Sequence, residues 1–283
     1  MWFTPDALPS TEVAGFAKRV EELGYTKLWF GEAFGRDPFA QLSFLGQHTK
    51  TLGLATGIAN IYHRHPGVML QGANTVAEQT GGRVTLGLGV SSPVIVSKMR
   101  GIDYDKPLSF LRGYLDAMEA ARYTSIAPPD PVPIVLAALG PKMLELAAER
   151  TAGAHPYNVP PEHTAMARSV MGPDAGLYVE QKVILTSSAD QARAIAAQVM
   201  AFYARAPGYR NAWKRLGFTD DDIDGPTTRW LDAMVVWGDA DTINARIAEH
   251  ADAGATHVCI QPLHPEHGMA QVDYDALEAL RPT

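Results

Sequence analysis

The sequence predicts a parallel α/β protein, best built as a single-domain (β/α)8 barrel over residues 1–283. Short β-rich runs alternate with amphipathic helical segments along the whole chain, eight strands can be counted, and no dinucleotide-type glycine motif follows the first of them. Alternation of this kind calls for parallel strands joined by helical crossovers. An open doubly wound sheet should carry G-x-G-x-x-G after its first strand. The one similar run, LGLGVSS (86–92), follows the fourth strand and lacks the third glycine, which favours the barrel.

The strands, in order, cover residues 1–4, 27–30, 54–59, 84–89, 134–138, 154–158, 182–185 and 257–261. The first reads as the tail of a shortened strand, because Trp2 and Phe3 give way at once to a loop. Helical faces recur at spacings of three, four and seven: Val13, Phe16, Ala17 and Val20; Met69, Ala73 and Val76; Leu108, Leu111, Leu115 and Met118; Ile195, Val199 and Phe202; Ile243 and Ile247. Ser10 starts the first helix and Gly24 closes it, while Pro66, Pro107, Pro141 and Pro161 each sit where a helix begins. Two segments exceed a minimal barrel, a long loop at 91–106 after strand four and an aromatic-rich helical excursion at 205–233 after strand seven. Both follow C-terminal strand ends, the face on which barrel enzymes carry their sites.

Composition narrows the function. Lys plus Arg is 24 against 31 for Asp plus Glu, a net charge of −7 with no basic run, which argues against nucleic acid as partner. No apolar run reaches membrane-spanning length, and the N-terminus lacks the basic start and apolar core of a signal peptide. A lone cysteine, Cys259 inside an apolar strand, excludes an internal disulfide framework and fits a reducing cytoplasm. H-E-x-x-H, C-x-x-C and G-x-S-x-G are all absent, so no metal is expected and no serine nucleophile is marked.

The most informative stretch is TGIANIYHRHP (56–66), a core strand broken by Gly57 and ended by Asn60, with a basic-aromatic cluster beyond. By itself it reads as a glycine-relaxed bulge at a barrel rim. Together with ELGYTKLWFGEAFGRDPF (22–39), AEQTGGRVTLGLGVS (77–91), AALGPKMLELAAERTAGAHPY (137–157) and WGDADTINARIAEHADAGATHVCIQPL (237–263), it resembles the bacterial luciferase-like monooxygenase superfamily. Within that superfamily the chain is most similar to the actinobacterial-type branch that uses the deazaflavin coenzyme F420. The resemblance runs through nearly the whole chain in order.

The resemblance implies a cis peptide at Gly57–Ile58 backing the coenzyme ring, a form that is disfavoured outside proline. It implies coenzyme contacts from Gly57, Ile58, Ala59 and Asn60, from Gly89, Val90 and Ser91, from Ala138, Leu139, Gly140 and Pro141, and from His155, Pro156 and Tyr157. Independently, Gly140–Pro141 is a tight turn into a helix whose free N–H groups suit a phosphate or ring carbonyl. Glu32, His63 and Tyr157 are the catalytic candidates, within a wider set of proton donors that adds Tyr62, His65 and His155. For each histidine a surface or structural role competes with catalysis. Two positions depart from the family pattern: Ala33 stands where a histidine is common, and Ser92 where the sugar-phosphate dehydrogenases carry glutamate.

Arg36–Asp37 reads as a structural ion pair and Gly82–Arg83 as a stability feature. Tyr209, Trp213, Phe218 and Trp230 either wall a lid over an apolar substrate or pack the excursion, on the barrel or in a dimer contact. The expected activity is hydride transfer between coenzyme F420 and a small organic substrate, in a homodimer. A flavin mononucleotide (FMN)-dependent monooxygenase and a catalytically idle coenzyme-binding protein are the alternatives.

Overall fold

The computed structural model describes residues 1–282. The chain divides into two compact units, the first formed by Met1, residues 3–137 and 149–152, the second by Trp2, residues 138–148 and residues 153 onward.

The first unit runs α1 (Ser10–Glu22), β1 (Lys27–Phe30), α2 (Pro38–His48), β2 (Gly53–Thr56), β3 (Ala59–Asn60), α3 (Pro66–Gln79), β4 (Val84–Gly89), α4 (Pro107–Glu119) and β5 (Ile134–Leu136). Its strands pair in parallel: β1 with β2 (Lys27 opposite Gly53), β2 and β3 with β4, and β4 with β5. Every residue of β4 is buried, as expected of a parallel strand covered on both faces. The predicted face of α1 (Val13, Phe16, Ala17, Val20) is buried in full. Ser10 is the first helical residue; Pro9 holds the cap position, with no side-chain cap bond. Residues 1–4 form less than the expected strand, yet Met1 and Phe3 bond to β1, Trp29 N–H donating to Met1 O at 2.8 Å and Phe3 N–H to Trp29 O at 3.1 Å. Within the long segment after β4, residues Val94–Met99 form a π-helical turn with Val96 buried.

Arg83, at the start of β4, shows why Gly82–Arg83 belongs to the frame. Its guanidinium donates to Leu52 O (2.7 Å), Gly46 O (3.0 Å), Thr49 O (3.1 Å) and Thr80 O (3.0 Å), closing loop carbonyls that would otherwise be under-satisfied.

The second unit contains β6 (Gly153–Ala154), α6 (Pro161–Met171), β7 (Gly176–Leu185), α7 (Ala189–Tyr203), α8 (Pro207–Arg215), α9 (Asp220–Asp224), α10 (Thr228–Met234), β8 (Val235–Gly238), α11 (Ala240–Asp252), β9 (His257–Pro262) and α12 (Tyr274–Ala279). Helix α5 (Pro141–Arg150) begins in this unit. All four prolines expected to open helices are the first residues of α3, α4, α5 and α6. Strand β7 pairs in parallel with β6, β8 and β9. Gly153 sits at φ +145°, and a Cβ there would lie 1.9 Å from Gly176 O, so the β6–β7 contact requires glycine.

Three sequence expectations change here. Strand β7 starts at Gly176, well before 182; β6 stops at Ala154; and β8 was not expected at all. In the excursion, Trp213 and Trp230 are fully buried and meet edge to face at 5.0 Å, with Phe218 in the same cluster. These rings are the packing core of the excursion. Cys259 is a buried thiol donating to Val179 O, its pKa pushed up to about 12 by burial.

At the centre of β7 lies a fully buried ion pair. Lys182 Nζ donates to Glu180 Oε1 at 3.1 Å and to Asn158 Oδ1, and Asn158 N–H donates to Glu180 Oε2 at 3.0 Å. Burial holds the Glu180 pKa above and the Lys182 pKa below the ordinary value, each opposed by its partner's charge. Removing one member strands the other. Lys182→Met alone should lower unfolding free energy by about 3–5 kcal/mol, whereas Glu180→Leu with Lys182→Met should recover most of it, as read by urea denaturation.

Candidate active site

In the first unit, a cluster of polar side chains gathers on Glu32, two residues past β1. Glu32 Oε2 accepts from Asn60 N–H at 2.9 Å, Oε1 accepts from His63 Nδ1 at 3.1 Å, and Arg64 Nη1 donates to both oxygens at 2.7 Å. Asp37 takes the other side of the Arg64 guanidinium. The Glu32 and His63 side chains are less than a tenth exposed. Desolvation works against the Arg64 charge, but the hydrogen bonds and charges of Glu32 and Asp37 outweigh it, and the pKa lies above the usual value. Asp37 likewise lies below its ordinary range: burial would raise it, but the Ala40 and Phe39 amides and Arg64 prevail. Those two amides are capping bonds, since Asp37 is the N-cap of α2.

The expected Arg36–Asp37 pair is therefore not formed. Arg36 turns to Pro5 O and Leu8 O, while Asp37 caps α2 and meets Arg64.

The hydrogen bonds also assign the His63 tautomer. Asn60 Oδ1 accepts from Tyr62 N–H at 3.0 Å, which turns the Asn60 amide nitrogen toward His63 Nε2 at 3.1 Å. Nε2 is thus an acceptor and the ring proton sits on Nδ1, facing Glu32. Neither Glu32 nor His63 has a proton to spare in this arrangement.

The strand break between β2 and β3 falls at Gly57–Ile58, whose peptide is cis, as the resemblance implies. Gly57 N–H donates to Phe30 O at 2.7 Å and Ile61 N–H to Gly89 O at 3.1 Å, so the chain stays tied on both sides of the break. Gly57 and Ile58 keep partial exposure, whereas Thr56, Ala59 and Asn60 are buried. Gly89 is required here, since a Cβ would fall 2.5 Å from Ile58 Cγ1. Val90 is half-buried, and Ser91 has a left-handed backbone at φ 55°.

Beyond Asn60 an open cleft of about 930 Å³ begins at Ile61–Pro66 and is walled by residues 102–114. Tyr62 and Phe110 stack at 4.6 Å and 8°, and Tyr104 packs on Tyr62 at 5.2 Å. Tyr114 O–H donates to Arg64 O at 2.8 Å, fixing the cleft wall to α4. Burial pushes the Tyr104 pKa up to about 12 and raises that of Tyr114 further. His65 caps α3: its Nδ1 accepts from Gly67 N–H at 3.2 Å, so the proton lies on Nε2, which has no partner among the described residues.

In the second unit, His155 is buried and its Nδ1–H donates to Tyr178 O at 2.7 Å. Tyr157 O–H donates to Gln261 Oε1 at 2.7 Å and accepts from Tyr203 O–H at 2.9 Å, while its ring lies 3.8 Å from Lys182 Nζ. Burial raises the Tyr157 pKa well above the ordinary value. Its one proton is committed, and its face carries a cation. Pro156 O accepts from Glu180 N–H at 3.1 Å.

Gly140 precedes α5, and the guanidinium of Arg215 lies 3.6 Å from where its Cβ would be. Arg215 stands near the N–H-rich start of a helix, a donor set that suits an anionic group. Glu180, Lys182, Asn158, Tyr203 and Arg215 did not emerge from the sequence. Glu180 and Lys182, two apart in one strand and so on one face, were the available signal.

The chain belongs to the luciferase-like monooxygenase family, whose model matches residues 2–257. A curated relative, the 5,10-methylenetetrahydromethanopterin reductase of Archaeoglobus fulgidus, is 26% identical over 312 residues, covering 93% of this chain and 93% of that protein. Among solved structures, the coenzyme F420-dependent tetrahydromethanopterin reductase from Methanopyrus kandleri matches with a TM-score of 0.77 at 19% identity, over 99% of this chain and 96% of that one. An F420-dependent secondary alcohol dehydrogenase in complex with an F420–acetone adduct matches with a TM-score of 0.77 at 14% identity, over the same shares. The (β/α)8-barrel class read from the sequence is the fold shared with these oxidoreductases. No helix among the described residues is long and apolar enough to cross a membrane.

Two buried histidines of the second unit set a pH limit. Burial lowers both His155 and His250 from 6.5 to about 4. The unfolded chain takes up these protons near pH 6.5 while the folded chain resists until about 4, so protonation favours unfolding within that window. Stability should be flat above the window and fall as pH drops through it, by about 3 kcal/mol per histidine at pH 4. Urea midpoints at pH 7 and pH 4.5 check this, and His250→Gln should flatten the profile by its own share.

Proposed function

We propose that this chain is a coenzyme F420-dependent oxidoreductase that moves a hydride between the deazaflavin and a small, largely apolar organic substrate. The observation that carries the reading is the Gly57–Asn60 segment, which presents a partly exposed Gly57–Ile58 surface at the C-terminal end of a parallel strand, backed by buried Ala59 and Asn60 and tied by backbone bonds to β1 and β4. A flat ring fits such a surface, and Gly89 lets β4 approach it closely. When bound, the coenzyme supplies the hydride chemistry, and the chain supplies position, polarity and exclusion of water.

The chain's own contributions follow from the first unit. Gly57 and Ile58 offer the ring its seat, held from behind by buried Ala59 and Asn60, with Val90 and Ser91 at its edge. The cleft beyond Asn60 receives the substrate against the Tyr62–Phe110 wall. Arg64 is already neutralised by Glu32 and Asp37, and Lys106 stands beside Asp105 with Asp103 on the same wall, so this wall selects uncharged groups over phosphates. Two candidate protons at the cleft wall are unpartnered, the buried Tyr62 hydroxyl and His65 Nε2–H; His65, the exposed one, donates to a substrate oxygen as the carbon is reduced. A cytoplasmic homodimer is part of the same reading and rests on the family resemblance.

Oxidised coenzyme F420 and FMN, titrated side by side by tryptophan fluorescence or calorimetry, test the proposal. Micromolar binding of F420 with FMN at least about tenfold weaker is expected, a gap of about 1.4 kcal/mol. Preference for FMN would move the reading to oxygen chemistry, and binding of neither would overturn it. Once an acceptor is in hand, His65→Asn keeps a capping oxygen for α3 but removes the ring. It should lower kcat about a hundredfold, measured in steady state, with far less effect on KM.

A further inference from the structure

We propose that Glu32 is a positioning residue that clamps the Ile58–Asn60 segment; the assignment rests on the functional reading above, because that segment is where the ring would lie. One residue grips both ends of the segment. The Glu32 backbone N–H donates to Ile58 O at 3.2 Å, and its side-chain Oε2 accepts from Asn60 N–H at 2.9 Å. The carboxylate cannot swing away, because Arg64 Nη1 bonds both oxygens and His63 Nδ1 bonds Oε1.

The partners come from the residues that immediately follow the segment, so the turn 58–64 is wrapped around a single carboxylate. Asn60 closes the wrap, its side chain bridging Tyr62 N–H and His63 Nε2. Each Glu32 oxygen already accepts two hydrogen bonds, which fills a carboxylate's usual capacity and leaves it no part in proton transfer. Its action is exerted through the backbone of Ile58 and Asn60. A platform fixed before the ligand arrives has little ordering cost left to meet on binding.

The test combines hydrogen–deuterium exchange of the coenzyme-free protein with F420 titration. In Glu32→Ala, exchange at the Asn60 amide should rise about tenfold or more, and F420 affinity should fall about tenfold. Glu32→Gln keeps an acceptor oxygen for the Asn60 N–H but loses the charge opposite Arg64, so it should recover the Asn60 protection and the affinity only in part, standing between Glu32→Ala and the unmodified protein. Asp37→Asn serves as the control: it keeps a capping oxygen for α2 but removes the charge from the other Arg64 contact, so it should lower Tm slightly, yet leave Asn60 exchange and F420 affinity within about twofold.

If Glu32→Ala does not fold, Glu32→Asp carries the same test, since it keeps the charge beside Arg64 with an oxygen one methylene short of the Asn60 amide. Unchanged Asn60 exchange and unchanged affinity in the Ala or Asp variant would overturn the clamp. If the unmodified protein binds no F420, the functional reading falls by itself, and the exchange data alone decide whether Glu32 holds the segment.

Discussion

The interaction on which the first unit's rim depends is the Glu32–Arg64 pair. Both groups are largely withdrawn from water, and neither charge could stay there alone. Breaking a buried pair of this kind costs about 3–5 kcal/mol, while an exposed pair contributes about 1 kcal/mol or less. Asp37, half-exposed, lies nearer the weak end. The pair is therefore more than an added contact: once Arg64 is present, Glu32 must face it, and the backbone that Glu32 touches is fixed with it. Tyr114 secures the opposite side by donating to Arg64 O, so α4 and the cleft wall follow from the same arginine.

The second unit is organised in the same way around Lys182 and Glu180. The ammonium is held by one carboxylate, one amide oxygen and the face of Tyr157. Asn158 adopts a left-handed backbone at φ 56°, with its N–H on Glu180 and its carbonyl accepting from Trp213 Nε1 at 2.9 Å. An asparagine tolerates that conformation better than most residues. The excursion helix α8 is thereby tied to the end of β6 through a main-chain atom, and the aromatic core of the excursion packs around the tie.

Much of this was legible in the sequence wherever burial alone decides the structure. Strands 27–30 and 84–89 are runs whose pattern needs no partner to be read, and the prolines opening α3 to α6 act through their own fixed φ. What escaped depends on partners far along the chain. Strand β7 reads from the sequence as starting at 182 because Glu180 and Gln181 resemble surface residues, and only distant partners make them interior: Lys182 and the Asn158 N–H for Glu180, Met234 O and His250 for Gln181. Strand β8 was hidden because it follows α10 without an intervening turn, so Met234–Val235 reads as one continuous apolar helix. At the rim, Asn60 and the cluster after it were visible as unusual, but Glu32 lies about thirty residues away, and nothing in the spacing links it to them. Arg36 and Asp37 show the same dependence: neighbours in sequence, they bond to different parts of the chain, Pro5 and Leu8 for one and Arg64 for the other.

Saturation also bears on chemistry. The residues that looked reactive from their type, Glu32, His63 and Tyr157, are those whose polar atoms are most fully engaged. A carboxylate accepting four bonds, an imidazole held as acceptor on one side and donor on the other, and a phenol donating to an amide are all poor at exchanging protons, since any transfer would first break a buried bond. Such groups are good at something else, which is holding backbone at fixed coordinates. That division of labour suits an enzyme whose reactive atoms arrive with a coenzyme. The protein then needs a rigid seat, an aromatic wall and at most one mobile proton, and the two groups with a proton not already engaged, the Tyr62 hydroxyl and His65 Nε2, both stand at the cleft rather than in the clamp.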